Sequence, residues 1–99
     1  MSESDSRGSL AAPAASVRDD RSFEIVRIWV VADHQEFVIK PRVWGDPAAW
    51  GLLIADLMRH VARAIEKQEG RSYQDALARI REGFEAEMSM PMDPDGPVV

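Results

Sequence analysis

The chain of 99 residues has 12 basic and 17 acidic residues, no cysteine, and 45% hydrophobic residues. This length allows one hydrophobic core and therefore one domain. The net charge of −5 argues against nucleic acid as a partner, because binding to a phosphate backbone relies on clustered Lys and Arg. Without cysteine, disulfides, thiolate metal sites and a cysteine nucleophile are excluded.

Both ends of the chain are predicted to be tails. Residues 1–22 are rich in Ser, Ala, Asp and Arg and show no periodicity, which is typical of disorder. Residues 10–17 are too short and too broken for a signal peptide, and no segment reaches the roughly 20 apolar residues of a membrane span. Three prolines in residues 90–97 predict a flexible tail at 89–99. We therefore expect one α+β domain at 23–88, in the cytoplasm and without membrane contact.

Residues 23–31 and 36–40 are rich in β-branched and aromatic residues and flank the polar break Asp33-His34-Gln35, which predicts an antiparallel hairpin. A loop with an even number of residues would place Val30 opposite Phe37. One face would then be wholly apolar and would receive the helices; its residues are Val26, Ile28, Val30, Phe37 and Ile39. The opposite face would be mixed, with Ile25, Arg27, Trp29, Val31, Glu36, Val38 and Lys40.

A junction, WGDPAAW at residues 44–50, leads into the first of two predicted helices. Asp46 is a good N-cap and Pro47 suits the first helical position. Large apolar residues follow at three and four spacing, at Trp50, Leu53, Ile54, Leu57, Met58, Val61 and Ile65. Gly70 ends this helix and Ser72 caps a second, whose apolar side holds Tyr73, Leu77, Ile80, Phe84 and Met88. The order β-β-α-α thus predicts a β-hairpin followed by an antiparallel αα-hairpin.

An isolated two-stranded ribbon is marginally stable, which predicts a partner for the hairpin. We expect a homodimer in which either the edge strands join or the mixed faces pack. Either arrangement would cover Trp29, Val31 and Val38.

Several segments together resemble a small bacterial family known only as a domain of unknown function. They are SFEIVRIWV at 22–30, WGDPAAWG at 44–51, HVA at 60–62, EGR at 69–71, ARI at 78–80 and GF at 83–84. The resemblance covers nearly all of residues 22–88. It implies a short bacterial protein with no assigned reaction, cofactor or catalytic residue, so it leaves function open.

Arg27 lies between apolar residues of the first strand, and the register above would place it opposite Lys40. Two opposed cations repel. Either a carboxylate neutralises them, from Glu36, Asp56 or a second chain, or the pair binds an anion. A structural ion pair is the favoured interpretation, since interface arginines usually have protein partners.

Asp56 and His60 stand four residues apart on the first predicted helix and could share a proton or a metal. A metal site needs a third ligand that the sequence does not place, so an ordinary surface pair is favoured and no metal is expected. Arg59, Arg63 and Lys67 follow one another at one-turn spacing. We interpret this basic row as solvated surface, and we expect no nucleic-acid partner.

Three tryptophans are many for so short a chain, and such residues are common in both cores and ligand pockets. Core packing is favoured for Trp50, while Trp44 is expected to fold back on the first helical turn. Unpaired N–H groups at the helix start could bind an anion, although Asp46 would compete for them. The candidate ligand-binding residues are Arg27, Arg42, Trp44 and Trp50.

No phosphate-binding glycine loop, serine elbow, metal-binding helix motif or paired catalytic carboxylates can be found in the sequence. We therefore expect no cofactor, and we favour a non-enzymatic, homodimeric protein-interaction module over an enzyme. The alternative is a small-ligand or anion-binding protein with its site at the junction of Trp44 and Trp50.

Overall fold

The computed structural model describes residues 8–90. The elements are helix α1 (Ala14–Arg18), strands β1 (Val26–Val31) and β2 (His34–Ile39), and helices α2 (Ala48–Glu69) and α3 (Tyr73–Ser89). This order confirms the predicted α+β class and the β-β-α-α sequence of elements. The chain divides into two compact units, Met1–Pro41 and Arg42–Val99, which are described separately. The single domain predicted at 23–88 stays a prediction.

Helix α1 was not anticipated from the sequence. It is five residues long and has no buried residue. Ser16 holds its first turn, because both its backbone N–H and its hydroxyl donate to the carbonyl of Pro13, at 2.9 and 2.7 Å. Residues 1–7 and 91–99 of the predicted tails lie outside the described residues.

The antiparallel hairpin is confirmed, but the predicted register is wrong by two residues. Ile28 pairs with Phe37, and Val30 pairs with Gln35. The reason is the turn: only Ala32 and Asp33 separate the strands, whereas the predicted register needed a four-residue loop. A shift of two residues leaves every side chain on its predicted face, since strand side chains alternate with a period of two.

The tight turn depends on Ala32, which adopts a φ of +55°. Positive φ at the first of two central turn residues is typical of the turns that favour glycine there, because a Cβ clashes in this region. We therefore expect Ala32→Gly to raise the free energy of unfolding by about 0.5–1 kcal/mol. Urea denaturation measures this change. Asp33→Gly is the matched control, and it should not stabilise, because Asp33 has no positive φ to relieve.

The predicted helix boundaries are confirmed by the hydrogen bonds at their ends. Asp46 Oδ1 accepts from the N–H of Ala48 at 3.0 Å, so Asp46 caps the start of α2. Gly70 ends this helix with a φ of +73° and donates its N–H to the carbonyl of Glu66. Ser72 Oγ accepts from the N–H of Asp75 at 3.1 Å, which caps α3.

Among the described residues, the only hydrophobic side chains that are fully buried are Ala62 and Ala76, on α2 and α3. The apolar stripes of the sequence predict a core of large residues, and neither alanine belongs to that predicted core. Small side chains allow two helices to approach closely, and the larger ones then lie beside the line of contact. Ile54, Leu57 and Phe84 consequently remain exposed at 44–49%.

Candidate functional site

The junction brings its two tryptophans together. The ring centroids of Trp44 and Trp50 lie 5.2 Å apart in an edge-to-face arrangement. Trp44 thus packs on the first turn of α2, as expected from the sequence, while 37% of its surface remains exposed. Asp46 already occupies the N–H of Ala48 at the helix start, so an anion would compete with this carboxylate there.

Arg42 precedes the tryptophans by two residues and is exposed. No hydrogen bond or ion pair of its guanidinium is found within the part of the chain that the structure describes. Trp50 is half-buried, which is consistent with its predicted packing role. The junction therefore presents one cation and one partly exposed indole within three residues of sequence.

Arg27 has a carboxylate partner, but not one named from the sequence. Its Nη2 donates to Glu24 Oε1 at 2.9 Å, and its Nε donates to Glu24 Oε2 at 3.3 Å. The expected opposition to Lys40 is wrong, because the actual register places Val38 opposite Arg27. The predicted strand began at residue 23 and so placed Glu24 and Arg27 on opposite faces, whereas β1 begins at Val26 and leaves Glu24 free to pair with Arg27.

Trp29, Val31 and Val38, the residues predicted to be covered by a partner, share one face of the hairpin. Their cross-strand neighbours are polar: Trp29 pairs with Glu36, and Val31 pairs with His34. Trp29 is half-buried, whereas Val38 is 68% exposed. The opposite face of the hairpin also carries an exposed residue, Val30, at 72%.

His34 on this mixed face is held by two carboxylates. Its Nε2 lies 2.8 Å from Glu36 Oε2, and its Nδ1 lies 3.5 Å from Asp33 Oδ1. The hydrogen bond to Glu36, and then that to Asp33, raise the pKa of His34. The protonated imidazole therefore stabilises the hairpin end.

We expect this histidine to make stability depend on pH. A pKa raised in the folded state contributes stability that is present below the unfolded value near 6.5 and is lost as pH rises through the folded pKa. An NMR titration of His34 should show a midpoint above 6.5. Glu36→Gln should lower that midpoint, because it removes the largest cause of the shift. An unchanged midpoint would contradict the assigned cause.

An open apolar groove of about 620 Å³ lies between helices α2 and α3. Its apolar lining consists mainly of Ile54, Met58, Leu77, Phe84 and Met88. Arg59, Arg81 and Glu85 also line it, and Arg81 Nη2 lies 3.7 Å from Glu85 Oε2. The sequence predicted Arg59 to lie in a solvated row of basic residues, and it did not predict this groove.

A second feature missed from the sequence joins the two helices at their turn. Glu66 Oε2 accepts from the backbone N–H of Tyr73 at 3.1 Å, and Glu66 Oε1 accepts from Arg63 Nη1 at 3.2 Å. The guanidinium of Arg63 lies 3.8 Å from the centroid of the Tyr73 ring. Arg63, Glu66 and Tyr73 form the turn cluster, which fixes the end of α2 to the start of α3.

Asp56 and His60 form a surface contact. His60 Nδ1 lies 2.9 Å from the carbonyl oxygen of Asp56 and 3.7 Å from its carboxylate Oδ2. Within residues 8–90, no group of three metal-binding side chains comes together. No helix in the same part of the chain is both long and apolar enough to cross a membrane.

Comparisons with known proteins give a family and similar solved structures, among them the one described below. The model of a family described as "Domain of unknown function (DUF5076)" matches residues 9–92, which confirms the resemblance to a domain of unknown function. A solved chain named "Structure of a putative pyruvate dehydrogenase from the photosynthetic bacterium Rhodopseudomonas palustrus CGA009" is 30% identical, with a TM-score of 0.72. The match covers 93% of each chain. Comparison with curated proteins gave no match.

Proposed function

Starting from the fact that the chain belongs to the DUF5076 family of unknown function, we propose that it is a non-enzymatic protein-interaction module that acts as a homodimer. The observation that carries this proposal is the hairpin with exposed apolar residues on both faces. Val30 and Val38, on opposite faces, are 72% and 68% exposed. A two-stranded ribbon of this kind needs further strands or a packed layer to be stable in water.

The helical unit supports the same proposal. Its fully buried side chains are two alanines, while Leu52, Leu57 and Val61 of α2 are 74%, 49% and 41% exposed. Leu57 and Val61 stand four residues apart and so share one face of α2, and exposed apolar surface of this kind is typical of interaction sites. A second copy of the chain is the partner proposed first, because it is always present at the same concentration.

Sedimentation analysis of the full chain at micromolar concentrations tests the proposal, and we expect the mass of two chains. Trp29, Val31 and Val38 are proposed as interface residues. Val31→Ser should therefore weaken association by roughly tenfold or more, since burying a Val side chain contributes about 1.5 kcal/mol. Val17→Ser is the matched control, because Val17 is equally apolar, exposed and outside the hairpin. A chain that remains monomeric throughout would overturn the proposal.

A ligand-binding function at the junction is the second candidate, favoured by the exposed Arg42 beside the partly exposed Trp44. Arg27, the fourth ligand-binding residue predicted from the sequence, lies in the other compact unit and pairs with Glu24. Inorganic phosphate and pyruvate are suitable anion probes, the latter chosen from the name of the similar solved chain. A saturable change in tryptophan fluorescence that Arg42→Gln abolishes would support binding. Absence of any change with either anion would remove this candidate.

A further inference from the structure

The outer edge of β1 carries a regular set of backbone groups that point away from β2. The N–H of Lys40 donates to the carbonyl of Ile25 at 2.9 Å, so Ile25 and Lys40 form a hydrogen-bonded pair of the ladder. Such pairs alternate with pairs that are not hydrogen-bonded. The backbone N–H and C=O groups of Val26, Ile28 and Val30 therefore face outward.

This edge is accessible. An open trough of about 430 Å³ runs along β1 and is lined by five consecutive residues of the strand, 26–30. Consecutive residues point to opposite faces of a strand, so a trough lined by all of them follows the edge. Gly8, Ser9, Leu10 and Glu24 complete its lining.

We propose that β1 pairs with β1 of a second copy, antiparallel, about a twofold axis that passes through Ile28. The proposal rests on the homodimer proposed above and names its interface and register. Ile28 lies opposite Ile28 of the other copy, and Val26 lies opposite Val30. All three outward-facing residues of each strand then exchange backbone hydrogen bonds, about six in total.

The axis position follows from the alternation of the backbone groups. An axis between two residues would set outward groups against inward ones, which cannot bond. An axis at Trp29 leaves Val26 opposite Ala32, beyond the end of the strand. The axis at Ile28 is therefore the one that uses the whole edge.

Charge does not oppose the joining of two β1 strands. In the proposed register Arg27 lies opposite Trp29 of the other copy, and its charge is compensated by Glu24 at 2.9 Å. No pair of like charges therefore meets across the proposed interface.

The pairing extends the apolar side of the hairpin. Opposed residues of an antiparallel pair have their side chains on the same face. Two copies thus form one four-stranded sheet, in which the apolar faces of both hairpins become continuous. Four strands with a hydrophobic face meet the requirement for a stable sheet, which two strands do not.

Cysteine cross-linking tests the register, and the absence of native cysteine leaves each introduced thiol alone. Ile28→Cys places two thiols on residues whose Cα atoms are about 5.5 Å apart, within disulfide range. Val26→Cys is the matched control, because two copies of residue 26 would lie about 13 Å apart along the strands. Under mild oxidation, Ile28→Cys should give at least about tenfold more linked dimer than Val26→Cys.

Other outcomes would overturn the inference. Sedimentation of the reduced variants shows whether a dimer is present before oxidation. A dimer that links through Trp29→Cys or Phe37→Cys instead of Ile28→Cys has another register or another edge, and the proposed function stands without this interface. A dimer in which none of these positions links also overturns the edge pairing alone. A monomer in all variants and in the parent chain overturns both proposals.

Discussion

Replacing Ala62 by leucine is expected to lower the free energy of unfolding by about 2–3 kcal/mol, the largest effect of any substitution considered for this chain. Ala62 has no exposed surface, and Ala76 on the facing helix is 1% exposed. A leucine at position 62 adds three carbon atoms at a site where alanine already has no exposed surface. The helices must then separate or the side chain must adopt a strained rotamer.

Urea denaturation followed by circular dichroism measures this loss. Ala64→Leu is the matched control, because Ala64 lies on the same helix and is exposed. Alanine and leucine differ little in helix propensity, so the control should change stability by less than about 0.5 kcal/mol. Equal effects of the two substitutions would contradict the close approach of α2 and α3 at Ala62.

Replacing Glu66 by alanine is expected to destabilise the chain by about 1.5–2 kcal/mol. The carboxylate accepts one hydrogen bond from the backbone of Tyr73 and one from Arg63. Hydrogen bonds to charged groups contribute about 1.5–3 kcal/mol, and the lower part of this range applies because the side chain is 41% exposed. A negative charge at the start of α3 adds a favourable interaction with the helix dipole.

Thermal or urea denaturation of two further variants separates these contributions. Glu66→Gln keeps an acceptor for the Tyr73 N–H and loses the charge, so it should fall between the parent chain and Glu66→Ala. Glu69→Ala removes the same charge from the same helix at an exposed position outside the turn cluster. If Glu69→Ala cost as much as Glu66→Ala, net charge rather than the turn cluster would explain the loss.

Local signals predicted the element order and the helix ends well. The helix ends depend on hydrogen bonds to residues within four positions in sequence, made by Asp46, Gly70 and Ser72. The roles of these three residues can therefore be predicted from the sequence alone. The face of each strand residue was also correct, because it depends only on parity. The register itself depends on turn length, and no glycine marked the tight turn at Ala32.

The contacts that were missed are those between elements. A core predicted from large apolar residues omits Ala62 and Ala76, although small residues decide where two helices approach most closely. Glu66 bonds to a residue seven positions away, across the end of a helix. Because the predicted register was wrong, the residue expected opposite Arg27 was wrong as well: it is Val38 and not Lys40. Pairings that rest on tertiary geometry need a correct register and crossing point first.

The small number of buried side chains also has a calorimetric consequence. Exposure of apolar surface is the main source of the heat-capacity increase on unfolding, which averages about 12–15 cal/mol/K per residue. Among the described residues, the fully buried hydrophobic side chains are those of Ala62 and Ala76. The heat-capacity increase of a dissociated chain is therefore expected to fall below this range. Its free energy of unfolding should also depend only weakly on urea concentration. Dimerisation would raise both values, and scanning calorimetry over a concentration series would show the melting temperature rising with protein concentration.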